Sequence, residues 1–490
     1  MNDSQNTPAI HFNNSYVQLG PEFHERQEPS PVSDPSLIAL NEPLAAMLGM
    51  NADGLRTADG VSVLAGNSVA QGSEPLAMAY AGHQFGNWVP QLGDGRALLL
   101  GEVIGKDNVR YDVQLKGAGR TPFSRGGDGR NWMGPVLREY VMSEAMAALG
   151  VPTTRALAAV STGDPILREQ GPMPGAILTR VARSHIRVGT FQYFAARQNN
   201  EAVEQLMLYV IDRHYPEVAD ADNPALAFLD AVIDAQANLI AHWQSIGFIH
   251  GVMNTDNSSI TGDTIDYGPC AFMDTYAADK VFSSIDRGAR YAYQNQPRMA
   301  QWNLVNLAQC ILPFMHDDKE EAVALAQAAI NAFDERFIHH YLIRMRAKMG
   351  LLDEQDDDLA LVSSLLDQMA KHELDFTLTF RQLAHRSADD PFAPGGLMHD
   401  WQLRWSQRMD NSETELAESL ALMQKTNPAI IARNHQVEAV IESAVEEQDF
   451  QPFHNLLSAV ATPFDSIHDN LPYAKPPTEN ETVMQTFCGT

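Results

Sequence analysis

The amino-acid sequence predicts an α+β protein with an extended, mainly helical C-terminal region, and three observations support this. Residues 96–103 and 111–116 have the apolar and alternating patterns of neighbouring sheet strands, and a Gly93-Asp94-Gly95 turn leads into the first. Between 132 and 149 apolar residues recur at three- and four-residue steps, which is the pattern of one helix face. Beyond about residue 300 the helical pattern is almost continuous.

Shorter elements complete this outline before residue 300. We expect strands at 156–160 and 176–181, because both are short apolar runs. A long helix at 224–246 begins at Pro224 and stops at Gly247, and both residues are typical of those positions. A short strand is expected at 258–261.

The charge of the chain excludes some classes of function. Its 490 residues contain 34 Lys and Arg against 62 Asp and Glu, a net charge of −28, which argues against a general binder of nucleic acid or anionic membranes. Positive charge is concentrated between Arg110 and Arg187, where 11 basic and 6 acidic residues give +5. We interpret this segment either as an anion site or as surface arginines that pair with carboxylates elsewhere.

Cysteine content and the N-terminal residues indicate the compartment. Three cysteines in 490 residues cannot form a disulfide framework, which is typical of a reducing compartment. The first residues lack a basic stretch followed by an apolar one, and no window approaches about 18 uninterrupted apolar residues. We therefore expect a cytoplasmic protein without membrane or nucleic-acid partners.

The densest polar stretch, 250–257, is expected to carry the chemistry. Asp256 and Asn257 precede Asp266 by ten and nine residues, the spacing at which protein-kinase-like enzymes hold metal ions on a nucleotide. Asp266-Tyr267-Gly268 resembles the kinase Asp-Phe-Gly motif, so we predict a protein-kinase-like, two-lobed fold. The segment from His250-Gly251 to Asn257 resembles the catalytic loop of kinases. Val252 stands where that loop carries its catalytic aspartate, and a valine cannot accept a proton. Asp256 is the candidate substitute as general base.

Four longer motifs are far more specific than this spacing. They are Ala-Tyr-Ala-Gly-His-Gln-Phe-Gly from Ala79, Gln-Leu-Gly-Asp-Gly-Arg from Gln91, Gln-Leu-Lys-Gly-Ala-Gly-Arg-Thr-Pro-Phe-Ser-Arg from Gln114, and Gly-Val-Met-Asn-Thr-Asp-Asn from Gly251. Through them the chain resembles the selenoprotein O family, pseudokinase-fold enzymes that transfer AMP to proteins. The resemblance runs from about Ala79 to Asp274, and we expect the helical C-terminal region to belong to the same family.

The resemblance implies a role for each matching residue. ATP would lie reversed relative to an ordinary kinase, so that its α-phosphate faces the acceptor hydroxyl. Asp256 matches the general base, and Asn257 and Asp266 match ligands of Mg²⁺ or Mn²⁺. The matching nucleotide contacts are Gly93, Gly95, Arg96, Lys116, Asp128, Gly129, Arg180, Arg187 and Asp266.

Glu139 matches the helix glutamate that pairs with Lys116 in the family, but the helical pattern leaves a second candidate. Glu144 lies on the apolar stripe of the helix, whereas Glu139 lies well off it. Both glutamates therefore stay candidates. We interpret His83 and His250 as structural, hydrogen-bonded histidines.

Two cysteines are candidates for a redox pair under the same resemblance. Cys488 is third from the C-terminus, where family members carry selenocysteine or cysteine, and Cys270 lies four residues after Asp266. A Cys270–Cys488 disulfide would limit access to the site and make activity depend on reduction. The alternative is that Cys488 is an unused thiol in a disordered tail and that Cys270 is simply buried. Cys310 lies in a helical apolar run and is expected in the core.

The resemblance also implies a division of the chain and a reaction. The expected segments are an N-terminal extension (1–75), a kinase-like N-lobe with the nucleotide-binding loops (76–190), a C-lobe with the catalytic loop and metal site (191–300), a helical C-terminal extension (301–471) and a flexible tail with Cys488 (472–490). The expected reaction is transfer of AMP from ATP, or of UMP from UTP, to Ser, Thr or Tyr hydroxyls of proteins, with release of pyrophosphate. Family analogy indicates redox-related protein substrates.

Two other functions are compatible with these motifs. The first is a kinase that transfers the γ-phosphoryl group, which Val252 at the usual base position disfavours. The second is a catalytically inactive, nucleotide-binding pseudokinase scaffold. The joint presence of Asp256, Asn257 and Asp266 disfavours the scaffold, because a scaffold does not need a full metal set.

Overall fold

The structure is a computed structural model that describes residues 10–169, 171–384, 391–409, 413–469 and 471–487. It confirms the predicted α+β class. Within these ranges all strands except one two-stranded pair lie before residue 183, and the chain beyond is mainly helical.

The strands of the described ranges form one large antiparallel sheet and two small ones. In chain order they are β1 (His24–Arg26), β2 (Ser36–Leu40), β3 (Leu76–Met78), β4 (Gly82–Gln84), β5 (Asn87–Val89), β6 (Ala97–Ile104), β7 (Arg110–Lys116), β8 (Asn131–Trp132), β9 (Arg155–Arg168), β10 (Gly171–Ala182), β11 (Phe248–Ile249) and β12 (Ala271–Phe272). The large sheet has the order β1-β3-β6-β7-β10-β9-β2, with β8 paired to β10, while β4 pairs with β5 and β11 with β12. β7 therefore lies in the middle of the sheet.

Most of the helices follow the sheet in the chain. They are α1 (Glu42–Met47), α2 (Ala52–Arg56), α3 (Ala58–Leu64), α4 (Met133–Ala148), α5 (Val188–Ala195), α6 (Asn200–His214), α7 (Pro224–Ser245), α8 (Gln296–Ile311), α9 (Lys319–Asn331), α10 (Phe333–Lys348), α11 (Asp358–Lys371), α12 (Phe376–Ala384), α13 (His399–Met409), α14 (Glu413–Thr426), α15 (Asn434–Glu442) and α16 (Gln451–Val460). The predicted helices at 132–149 and 224–246 correspond to α4 and α7.

Both faces of the central strand β7 are covered. Because successive side chains of a strand point to opposite faces, its apolar and polar residues lie on different faces. Val113 and Leu115 belong to a buried cluster with residues of α1, α2 and α3. The opposite face carries Gln114 and Lys116 and meets α4, from which Glu139 reaches Lys116. The alternating pattern of 111–116 thus separates an apolar face from a buried polar face.

Helix α7 is the one described helix that is long and apolar enough, by length and composition, to cross a membrane. Its most apolar window is 56% buried inside the protein, and Phe228, Leu229 and Ile233 on this helix are fully buried. The Asn223 side chain caps its first turn by accepting a hydrogen bond from the Leu226 N–H. Burial of this extent is typical of a core helix in a globular protein.

The predicted strand at 258–261 is wrong. The segment forms a turn that contributes only one isolated bridge, between Ser259 and Arg187. Ser259 Oγ accepts from the Thr261 N–H, and Gly262 reverses the chain with a φ of +69°. Hydroxyl side chains that bond to their own backbone compete with a strand ladder, which explains the difference.

Candidate active site

The end of strand β7 brings Lys116 against helix α4. Lys116 Nζ donates to Glu139 Oε2 at 2.6 Å, and both side chains are buried. The other candidate, Glu144, pairs with Arg155 at 2.7 Å and accepts from the Ala156 N–H. Glu139 is therefore the glutamate on Lys116, although it lies off the apolar stripe of its helix.

Asp266 is the point where three cations, Lys116, Arg180 and Arg187, meet; we call these three the cation cluster. Asp266 Oδ1 accepts from Lys116 Nζ at 2.7 Å and from Arg180 Nη1 at 2.7 Å. Its Oδ2 accepts from Arg187 Nη1 at 3.3 Å. Burial alone would raise the pKa of Asp266, but the cation cluster outweighs it and holds the pKa well below its ordinary value. Asp266 is therefore an ionised carboxylate.

The register of the sheet explains why Lys116 and Arg180 meet. Arg180 on β10 lies opposite Gln114 on β7, and Gln114 shares a strand face with Lys116, two residues on. Gln114 Oε1 accepts two bonds from the Arg180 guanidinium, at 3.1 and 2.6 Å. Its Nε2 donates to Asp94 Oδ2 at 3.1 Å. These bonds join the glycine turn to the cation cluster through Asp94 and Gln114. The sequence patterns predict no role in the site for either residue.

The glycine turn at 93–95 packs against the segment that follows β7. Thr121 Oγ1 donates to the Asp94 carbonyl at 2.7 Å, and a Cβ on Gly95 would lie 2.8 Å from the Phe123 carbonyl oxygen. Gly93 has a φ of +71°, in the left-handed region that favours glycine. Close backbone packing thus explains why both positions carry glycine.

The segment that follows β7 also contains two other candidate nucleotide contacts, Asp128 and Gly129, and it is contacted by a third, Arg96. Arg96 Nη1 donates to Asn131 Oδ1 at 3.0 Å. Asp128 pairs with Arg168 at 2.7 Å, and its side chain is about half exposed. Gly129 has a φ of +67°, and a Cβ there would lie 2.1 Å from a carbonyl oxygen of the neighbouring backbone. In the described part of the chain Asp128 makes no hydrogen bond to the cation cluster.

Asp256 is a buried carboxylate in a very different environment. Its Oδ2 accepts from Gln84 Nε2 at 3.2 Å, and its Oδ1 is buried without a hydrogen-bond partner among the described residues. Burial is the largest influence on its pKa and raises it to about 6. Arg187 donates to the Asp256 backbone carbonyl, at 2.8 Å, rather than to the carboxylate. A carboxylate of this kind can take up a proton near neutral pH.

Asn257 belongs to the candidate metal set with Asp266. Its Nδ2 donates to the Val252 carbonyl at 3.0 Å, so the amide oxygen is the atom available as a ligand. Among the described residues no group of three or more His, Cys, Asp or Glu side chains could hold a metal ion by itself. A cation on Asn257 and Asp266 would need further oxygen ligands, and Mg²⁺ usually takes these from substrate phosphates and water.

His250 connects the two loops that carry the candidate carboxylates. Its Nδ1 accepts from the Val252 N–H at 3.3 Å, and its Nε2 lies 2.8 Å from the Ile265 carbonyl, to which it therefore donates. His83 Nδ1 lies 2.9 Å from Gln192 Nε2. The partners of both rings are protein groups, as the structural interpretation of these histidines expects.

Arg138 on α4 is a site residue that the sequence patterns do not reveal. Its guanidinium donates to the carbonyl oxygens of Gly268 at 3.1 Å and Cys270 at 2.6 Å. The same group donates to Asn434 Oδ1 at 2.6 Å and Glu438 Oε1 at 2.8 Å, both on α15. Arg138 thereby links the loop of Asp266 to a helix of the C-terminal region. Its position within the basic segment is the one available signal, and that signal does not separate it from other arginines.

Cys270 is a buried free thiol, and burial raises its pKa to about 12. The residue before it, Pro269, accepts a hydrogen bond at 2.5 Å from Thr486 Oγ1, so the C-terminal segment reaches this loop. Cys488 itself lies outside the described residues. Cys310 is buried on α8, and its prediction as a core residue is confirmed.

Comparison with known proteins finds relatives over nearly the whole chain. The family model described as Protein adenylyltransferase SelO matches residues 7–461. A Bradyrhizobium protein (strain ORS 278) named Protein nucleotidyltransferase YdiU is 54% identical over 487 residues, 98% of this chain and 99% of that protein. Proteins of the same name from Rhizobium etli (strain CIAT 652) and Rhodopseudomonas palustris (strain ATCC BAA-98 / CGA009) are 54% and 53% identical over 98% and 99% of this chain, and over 98% and 100% of their own lengths.

Proposed function

The chain belongs to the SelO family of protein adenylyltransferases and is a protein nucleotidyltransferase, and from this premise we propose that it transfers AMP from ATP, or UMP from UTP, to protein Ser, Thr or Tyr hydroxyls. One observation carries the proposal: two buried carboxylates nearby in sequence have opposite character. Asp266 is held ionised by three cations, whereas Asp256 has an unpartnered oxygen and a raised pKa. The first suits a metal ligand, and the second suits proton transfer.

The cation cluster is the proposed binding site for the triphosphate. Its three cations pair with two carboxylates, Glu139 and Asp266, which leaves one positive charge in excess. Arg187 Nη2 is buried and has no hydrogen-bond partner among the described residues, so it is a free donor for a phosphate oxygen. Arginine forks in a buried site stabilise negative charge that develops on a leaving phosphate group.

The proposed chemical step uses Asp256 as the base. Asp256 Oδ1 takes the proton of the acceptor hydroxyl while the hydroxyl oxygen forms a bond to the α-phosphorus. The bond between that phosphorus and the bridging oxygen breaks, and pyrophosphate leaves with the electron pair. Lys116, Arg180 and Arg187 hold the phosphates in line and stabilise the leaving group.

The donor atoms fit a hard divalent cation such as Mg²⁺ or Mn²⁺. We propose Asn257 and Asp266 as its protein ligands, because both offer oxygen and the low pKa of Asp266 keeps it in the ionised form that a metal ligand requires. When bound, the cation would neutralise phosphate charge. Gly93, Gly95, Arg96, Asp128 and Gly129 are proposed as further nucleotide contacts because they match the nucleotide contacts of the family.

We further propose that the fold is protein-kinase-like and two-lobed, and that the protein acts in the cytoplasm. Two contacts support the kinase-like fold. Lys116 at the end of a strand pairs with Glu139 of the following helix, and the same lysine pairs with Asp266 of the Asp-Tyr-Gly loop. The N-lobe would be 76–190 and the C-lobe 191–300, with 301–471 as helical extension and 472–490 as tail. β1 and β2 come from 1–75 and form the two edges of the large sheet, so this extension packs onto the N-lobe.

Labelled ATP tests the proposed reaction. Incubation with protein acceptors, reductant and Mg²⁺ or Mn²⁺ should put label from α-labelled ATP, and none from γ-labelled ATP, onto protein. Asp256→Asn should lower this transfer about 10²- to 10³-fold. Asp263→Asn, at another buried aspartate that pairs with Arg183, is the matched control and should keep it. Label from the γ-position would show a kinase, and no label with either metal would favour an inactive scaffold.

The same assay tests the proposed redox pair. We propose that Cys270 and Cys488 form a reversible disulfide, and the contact between Thr486 and Pro269 supports a tail that reaches this loop. Oxidant should then lower α-label transfer in the parent and have less effect on Cys488→Ser. An equal response in both proteins would exclude the pair.

A further inference from the structure

A groove of about 400 Å³ adjoins helices α8 and α9, outside the nucleotide site described above. Its lining combines guanidinium, amide and apolar groups, among them Arg290, Arg298 and Trp302. No carboxylate is among the described residues that line it. In a chain of 62 acidic and 34 basic residues, this lining is locally basic.

The arginines of this groove have no carboxylate partner among the described residues, and the neighbouring side chain that Arg290 contacts, Tyr291, is neutral. The Arg290 guanidinium lies 4.7 Å from the ring centre of Trp302, and its Nε is buried with no hydrogen-bond partner among the described residues. Arg298 is exposed, and in the described ranges no carboxylate lies within ion-pair distance of either guanidinium. Asp286 accepts instead from the backbone N–H groups of Arg290 and Tyr291. Two guanidinium groups are therefore available to a partner.

The β4–β5 hairpin connects the groove to the candidate base. The His83 ring on β4 lies edge-on to the Trp302 ring, with 5.3 Å between ring centres. The next residue, Gln84, donates to Asp256 Oδ2 at 3.2 Å. Neighbouring residues of one strand thus touch the aromatic wall of the groove and the carboxylate that would receive the acceptor's proton. The hairpin is therefore the element through which the residues that flank an acceptor hydroxyl at Asp256 would reach the groove.

We propose that this groove binds an acidic segment of the acceptor protein, on one or both sides of the modified hydroxyl. The inference rests on the function proposed above. Arg290 and Arg298 offer planar donor forks that match carboxylates, and Trp302 offers an apolar surface for the backbone between them. Because the chain as a whole carries −28, an acidic partner is repelled over most of the surface and would be accepted only where cations are unpaired.

Peptide binding tests the groove independently of catalysis. The probes are two fluorescein-labelled peptides with one serine, flanked on each side by three Asp in the first and by three Asn in the second. Fluorescence anisotropy at physiological salt should show binding of the Asp peptide about tenfold tighter than binding of the Asn peptide. Raising the salt concentration should narrow this difference, because the contacts are partly exposed.

Variants locate the contact. Arg290→Gln with Arg298→Gln should bring the two affinities within about twofold of each other, whereas Arg290→Lys with Arg298→Lys should keep part of the preference. Arg56→Gln removes a positive charge at a surface ion pair on α2 and is the matched control, which should behave as the parent. Circular dichroism and thermal unfolding of each variant show whether a lost preference reflects a lost fold.

The outcomes separate this inference from the proposed function. Equal binding of the two peptides by the parent, or a preference that survives the double Gln substitution, overturns the groove proposal. A change of oligomeric state in the double Gln variant with peptide preference intact would assign the groove to a second copy of the chain and also overturn it. Absence of α-label transfer, with Asp-peptide preference lost in the Gln variant, would overturn the proposed reaction and leave the acidic-segment site supported.

Discussion

Loops 254–257 and 266–268 hold their carboxylates in opposite ways, although both loops are buried in one site. Asp266 is surrounded by the cation cluster, which holds its pKa well below the ordinary value. Asp256 has one side-chain bond, from Gln84, and its pKa is raised to about 6. Burial raises the pKa in both cases, so the difference comes from neighbouring charge. Charge, not depth, decides which carboxylate can exchange a proton near neutral pH.

The comparison extends to stability. Asp266 balances three buried cations, so its charge stabilises the folded chain. Asp256 is desolvated with little compensation, so its charge lowers the stability of the folded chain. Functional sites commonly retain such a destabilising group because the reaction needs it. Loss of either carboxylate should therefore slow the reaction, while the two losses move the free energy of unfolding in opposite directions.

Asp266→Asn should have the largest effect. An amide cannot balance Lys116, Arg180 and Arg187, and removal of one partner from a buried ion-pair network costs about 3 kcal/mol. Loss of the proposed metal ligand, which also holds the cation cluster in place, should lower the rate of α-label transfer about 10³-fold. Initial rates and urea unfolding at pH 8 measure both effects. A variant as stable as the parent would show that the cations do not depend on this carboxylate.

Asp256→Asn should lower transfer about 10²- to 10³-fold, because the base is lost, yet raise the free energy of unfolding at pH 8 by about 2 kcal/mol. Urea unfolding of the metal-free protein in chelator, at pH 4 and pH 8, measures the second effect. The gain should be present at pH 8 and nearly absent at pH 4. A variant less stable than the parent at pH 8 would contradict the proposed origin of the raised pKa.

The sign of these pH effects follows from proton uptake. The folded chain binds the proton of Asp256 more tightly than the unfolded chain, so stability falls as pH rises from about 4 to about 6. Asp266 acts in the opposite direction: its depressed folded pKa stabilises the fold above the unfolded pKa near 4, and this contribution is lost as pH falls. The kcat/KM for transfer should fall below about pH 6 as Asp256 becomes protonated.

Arg138→Met should have the smallest effect of the three and sharpens the comparison, because Arg138 donates to the loop that carries Asp266 and, among the described residues, not to the loop that carries Asp256. Loss of its bonds to the Gly268 and Cys270 carbonyls should raise the metal concentration for half-maximal activity about tenfold. Arg138→Lys should restore part of the effect. Glu438→Gln weakens only the contact to the half-exposed glutamate on α15 and should leave metal dependence unchanged. An unchanged metal requirement in Arg138→Met would remove its positioning role.

Elements with a strong local period could be predicted from the sequence. β6, β7, α4 and α7 lie where the alternating and helical patterns expect them, because burial of one face imposes its period on the chain. The error at 258–261 arose where polar side chains bond to their own backbone, an interaction that leaves no period in the sequence. β9 and β10 extend beyond their apolar runs because each completes the ladder of the other.

The residues of the candidate site also fall into two groups: those that could be selected from the local sequence and those that only packing brings into the site. Asp256, Asn257 and Asp266 could be selected from spacing alone, since the motif lies within one short stretch. The choice between Glu139 and Glu144 could not be made, because the helical stripe reports burial and not the identity of the partner across the interface. Asp94 and Gln114 join the site only through strand register, which sequence periodicity does not specify.

The sequence by itself determined the α+β class, the resemblance to a nucleotidyltransferase family and the short motif that carries the carboxylates, because composition, period and spacing are local properties. The tertiary structure decided which side chains meet: the register that places Arg180 beside Lys116, the reach of Arg138 to α15 and the opposite environments of Asp256 and Asp266. Charge and burial at these positions come from residues tens to hundreds of positions away, and only packing brings them within a few ångströms of each other.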